Sequence, residues 1–138
     1  MAEEEILRKK YMEFQMLQQQ MEEISNHAEM LNQQNLELDI SINAIKELGK
    51  TKLETDLLTP IANGIFIKSS LKDNQKMVVN VGSNTTVEKT VLEVVELLEE
   101  QKKDLSERII EVNNLLGQMN EQAMKIYQEV ENVQQTEE

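Results

Sequence analysis

Two long stretches of the chain repeat apolar residues every three or four positions, and a short β-branched stretch separates them. In the first, a heptad started at Leu7 places Leu7, Lys10, Phe14, Leu17, Met21, Ile24, Ala28, Leu31, Asn35, Leu38, Ile42 and Ile45 at a and d, ending at Gly49. In the second, the seam runs through Val91, Val95, Leu98, Lys102, Leu105, Ile109, Val112, Leu116, Met119, Ala123, Ile126, Val130 and Val133. A 3.5-residue spacing kept over so many turns predicts coiled-coil helices, with the intervening Gln and Glu residues on solvated faces. The predicted segments are 4–49 and 90–134, with Gly49 as a helix stop. Each helix, at 1.5 Å per residue, makes a rod roughly 65–70 Å long. A capping box of Thr90 with Glu93 starts the second helix better than Thr85 with Glu88, because a β-branched run precedes Thr90.

Between the helices, 56–89 holds the one proline, Pro60, and two of the four glycines. Ile65–Lys72 and Lys76–Val81 read as strands. Leu57-Leu58 reads as a shorter strand that stops at Pro60, and Thr85-Thr86-Val87 as a fourth. Asn63-Gly64, Asp73-Asn74-Gln75 and Gly82-Ser83-Asn84 supply turns. Two consecutive hairpins follow. They are too small to bury an apolar face of their own and leave unpaired edges. Either they pair with the same segment of other chains, through Ile65, Phe66, Ile67, Val78, Val79 and Val81, or they fold back as a cap on their own helices. The expected fold is mainly α with a small β part, a single domain built on a long antiparallel two-helix coiled coil joined by two β-hairpins.

Equal arms flanking a hairpin element should fold back on each other. The two seams align in every layer when facing residue numbers sum to 140, which sets Gly49 against Val91, Ile24 against Leu116 and Phe14 against Ile126. Asn35 and Lys102 interrupt the apolar seam. They either fix register as buried polar residues or, for Lys102 above all, reach out to solvent. Near the two termini the apolar content exceeds what the seam needs: Met12, Met16 and Met124 lie off it, and Tyr11 and Tyr127 flank it. A layer such as Lys10 against Val130 packs poorly, so this end is expected to splay. The surplus suits either promiscuous binding or ordinary surface tolerance.

Composition narrows the function. The chain of 138 residues carries a formal charge of −12, which disfavours nucleic acid and anionic membrane as partners. It has no cysteine, no run long enough to cross a membrane and an acidic start, so a cytoplasmic location is expected. His27 is the only histidine, and no catalytic set, metal cluster or phosphate-binding glycine loop can be assembled. No enzymatic activity and no cofactor are expected.

The order helix, two hairpins, helix, with Leu57-Leu58-Thr59-Pro60-Ile61, Gly64-Ile65-Phe66-Ile67-Lys68, Val78-Val79-Asn80-Val81-Gly82 and Val87-Glu88-Lys89-Thr90, resembles the α type of the prefoldin family. The resemblance implies a hexamer of two α and four β-type subunits whose hairpins join into an inter-subunit β-barrel. It further implies an ATP-independent co-chaperone. Its coiled-coil tips would capture unfolded clients, here through Leu7, Tyr11, Phe14, Ile126, Tyr127, Val130 and Val133, and pass them to a group II chaperonin. The competing reading is a coiled-coil tether or adaptor, which needs a continuous seam to its end instead of exposed apolar surface.

Overall fold

The structure is a computed structural model, and it describes residues 2–136. Helix α1 spans Ala2–Lys50 and α2 spans Val91–Thr136; between them lie β1 (Asp56–Ala62), β2 (Ile65–Ser70), β3 (Lys76–Gly82) and β4 (Thr85–Thr90). The chain divides into two compact units, one of Met1–Gln34 with Leu105–Glu138 and one of Asn35–Asp104.

In the first unit the core is the predicted seam. Leu17, Met119, Ala123 and Ile126 are buried, and Phe14, Met21 and Ile24 pack against them. These residues are facing partners in the 140 register: Leu17 with Ala123, Phe14 with Ile126, Met21 with Met119. In the layer expected to splay, the Lys10 ammonium reaches across and pairs with Glu129. Leu7, Val130 and Val133 are half-buried at this end.

In the second unit Ile42, Val94 and Val95 are buried. A Cβ built on Gly49 would lie 3.0 Å from a Val91 methyl carbon, which fixes the same register here. Gly49 is therefore not the helix stop the sequence suggests. The helix runs on to Lys50, and the glycine admits Val91 to close approach. Thr51 ends the helix, its N–H donating to the Leu48 carbonyl at 3.2 Å and its hydroxyl to the Glu47 carbonyl at 2.7 Å. Lys102 leans out of the seam to pair with Asp39, resolving the alternatives for that residue in favour of solvent. Asn35 stays half-buried with its Oδ1 lacking a hydrogen-bond partner.

The strands form two separate antiparallel pairs, β1 with β2 and β3 with β4. The turn at Asp73–Gln75 therefore links two hairpins and does not close one. Its geometry comes from Asp73, whose carboxylate accepts the N–H groups of Gln75 at 2.8 Å and Lys76 at 3.0 Å. Those two bonds hold the Asp73 carboxyl below its ordinary pKa. The strand expected to end at Pro60 continues to Ala62, with Pro60 opposite Phe66. A two-stranded hairpin allows this, since every second N–H points away from the partner strand. Both hairpins shift register one residue before the turn, at Ile61 and at Val81. They turn differently: Gly64 has φ +78°, whereas Ser83 (φ 50°) and Asn84 (φ 60°) are both left-handed, as a type I′ turn requires. The Thr90–Glu93 capping box forms as read, with the Glu93 N–H donating to the Thr90 hydroxyl at 3.2 Å and the Thr90 N–H to the Glu93 carboxylate at 3.4 Å.

Candidate functional site

Two surfaces combine exposure with apolar chemistry. The first is the hairpin pair. Ile65, Phe66, Ile67, Val78 and Val81 are all exposed, Val78 at 70% and Phe66 at 55%; Val79 is half-buried. The register sorts them by face. In β1–β2 both faces carry apolar residues: Leu57 and Ile67 lie on one, Leu58, Pro60 and Phe66 on the other. In β3–β4 they gather on one face, Met77 and Val79 beside Val87, while the other carries Lys76, Asn80, Thr86 and Glu88 around Val78. Strands apolar on both faces belong to sheets covered on both sides. The cap reading finds little support, because these side chains stay in solvent instead of packing on the helices.

The second surface lies in the Met1–Gln34 and Leu105–Glu138 unit. A groove of about 830 Å³ runs beside the seam, with Phe14, Met21, Met124 and Tyr127 among its lining residues. Smaller hollows continue it past Tyr11 and Val130 to Leu7. Its cause is the choice of residues at the heptad e positions, which normally carry the charged side chains that shield an apolar seam. Along the groove they are Tyr11, Gln18 and Ser25 on α1 and Asn120, Tyr127 and Gln134 on α2, none of them charged; the charged e residue Glu4 lies only in the last hollow, beside Leu7. In the other unit the e positions include Asp39, Lys46 and Glu99, and ion pairs engage them: Asp39 with Lys102, and Lys46 with Glu99 at 3.7 Å.

The seven residues expected at a binding end occupy different environments. Tyr11 and Tyr127 are exposed, while Leu7, Phe14, Val130 and Val133 are half-buried. Ile126 is only 8% exposed and belongs to the core, since its d position points at the facing helix. It can shape the groove floor but presents little surface. Met124 (59% exposed), Gln18 and Met21 line the groove beside the seven expected residues. The signal for them was available in the uncharged e positions. Among the described residues no group of three or more His, Cys, Asp or Glu side chains could hold a metal, and no helix is long and apolar enough to cross a membrane.

Helices paired through a heptad seam and joined by two apolar hairpins define a class of protein, the two-helix coiled coil with an exposed β part. The family model for prefoldin subunits matches residues 4–136, and the chain belongs to the prefoldin family of non-enzymatic co-chaperones. Among its curated relatives is the prefoldin subunit alpha of Thermofilum pendens, 29% identical over 79% of this chain and 88% of that protein. That of Archaeoglobus fulgidus is 28% identical over 99% of this chain and 100% of its own length. The fold matches a chain of the cryo-EM structure of filamentous PFD from Methanocaldococcus jannaschii, with a TM-score of 0.74 and 18% identity over 83% of this chain and 95% of that one.

Proposed function

We propose that this chain is an α-type subunit of a hetero-oligomeric, ATP-independent co-chaperone of the cytoplasm. Two copies would join four β-type subunits through the hairpins, which would close into a shared β-barrel. The groove unit would take up non-native proteins and yield them to a group II chaperonin. The observation that carries client capture is the open, uncharged e flank with Tyr11, Met124 and Tyr127 beside the seam. A tether would close that flank with charge, as Lys46 and Glu99 do in the other unit. Burial of apolar client surface contributes about 25 cal/mol per Å² before ordering costs. One groove gives a weak contact, and several on one assembly raise the effective concentration.

The test places a photoreactive benzoylphenylalanine at position 127 in the assembly with a β-type partner and adds a denatured client. Tyr127 is exposed, so the replacement disturbs no core. Crosslinks from position 127, and few from position Ile40, which is more exposed, are the expected result. Crosslinking equal at the two positions, or absent at 127, contradicts the assignment.

A further inference from the structure

We infer that the groove selects apolar segments flanked by cationic residues, about six or seven residues apart when extended. This rests on the client-capture reading above and adds a chemical class to it. Two carboxylates line the main groove, Glu22 on α1 and Glu131 on α2, and no cation does; Arg8 lines only the hollow beyond Tyr11. Among the described residues neither carboxylate is held in an ion pair, whereas Glu129, on the other flank, is taken by Lys10. In the 140 register Glu22 lies level with position 118, thirteen residues from Glu131. At 1.5 Å per residue the two carboxylates stand about 20 Å apart along the helices. The apolar side chains Met21, Phe14, Met124 and Tyr127 fall between those levels.

An extended peptide advances about 3.3 Å per residue, so six residues cover that distance. A segment with lysine or arginine at each end and an apolar middle therefore meets a carboxylate at both ends and apolar surface between. The field of the whole unit has the same sign. Residues 1–34 and 105–138 hold five Lys or Arg against fourteen Asp or Glu, a formal −9 of the chain's −12. That potential draws cationic segments and repels anionic ones.

The test uses two capped seven-residue peptides with one shared five-residue core of leucine, alanine and a central benzoylphenylalanine. One peptide has lysine at both ends and the other has glutamate. Each is photo-crosslinked to the assembly of this chain with a β-type partner, and the yield on the groove fragments of this chain is measured by mass spectrometry. Exposed charge contacts are modest, so the lysine peptide should label the groove about fivefold to tenfold better at low salt, with the preference falling as salt rises. In the double variant Glu22→Gln, Glu131→Gln, whose side chains are exposed, the preference should shrink to about twofold, with labelling by the glutamate peptide rising. Equal labelling by both peptides in the unaltered chain overturns the charge selection and leaves client capture standing. A preference untouched by the double variant also overturns it, since the selectivity then lies elsewhere. Labelling of neither peptide in the groove, while the assembly still suppresses aggregation, removes both readings.

Discussion

Leu17 and Phe66 are both large apolar side chains, yet the first is 8% exposed and the second 55%. Leu17 sits in a seam that another part of the same chain completes. Phe66 sits on a hairpin that no described residue covers. Burying such side chains is worth about 1.5–3 kcal/mol each, so the helical arms are satisfied within the chain and the hairpins are not. The difference separates a part that completes its own core from a part whose apolar side chains stay exposed. A third condition lies between them: on the e flank of the Met1–Gln34 and Leu105–Glu138 unit the seam is complete, but its side is left uncovered.

Phe66→Ser should break the comparison hardest. Removing an aromatic anchor from an interface costs about 2–4 kcal/mol at each copy, enough to dissociate a multi-subunit assembly. Light scattering should show only small species with a β-type partner, while circular dichroism keeps its helical signal. A full-sized assembly of unchanged stability would mean that Phe66 is not an assembly residue.

Leu17→Ala acts on the closed region. It should lower stability by about 2–4 kcal/mol in thermal unfolding, through lost burial and a cavity. Ile40→Ala, at a position 68% exposed, should stay within about 0.5 kcal/mol. Equal effects would dissolve the distinction between seam and surface.

The register sharpens the same comparison. Cysteines replacing Ile24 and Leu116 should oxidise to a disulfide readily, as facing residues do, whereas cysteines replacing Ile24 and Ile109 should not. Comparable yields in a non-reducing gel would refute the 140 alignment. The smallest effect expected is a gain: a Cβ added at Gly117 meets nothing within 4 Å, so Gly117→Ala should stabilise α2 by up to about 1 kcal/mol. A loss in the melting temperature would show that this part of the helix needs its glycine.

The long-range architecture was legible because a heptad constrains every turn. The seam named the core residues Leu17, Leu31, Leu105 and Met119 and even the Gly49–Val91 contact. What the sequence concealed was local. Pro60 reads as a strand end, but a two-stranded hairpin has a free edge that tolerates it. Gly49 reads as a stop, because a glycine that ends a helix and one that admits a neighbour look alike. The two hairpins themselves were legible, because Asn63-Gly64 and Gly82-Ser83-Asn84 mark their turns. For the candidate site, the tyrosines and methionines were visible as surplus. The groove was not, because it depends on which heptad positions lack charge, and because Ile126 is directed inward while Met124 is directed outward.

Hydrogen exchange on the isolated chain, on its assembly with a β-type partner and on that assembly holding an unfolded client would test the division most directly. The outward strand amides of 56–90 should become protected only on assembly. Residues 11–25 and 116–131 should gain further protection only when client is added. Strand amides equally protected in the isolated chain, or client protection falling on 56–90 in place of the groove, would contradict it.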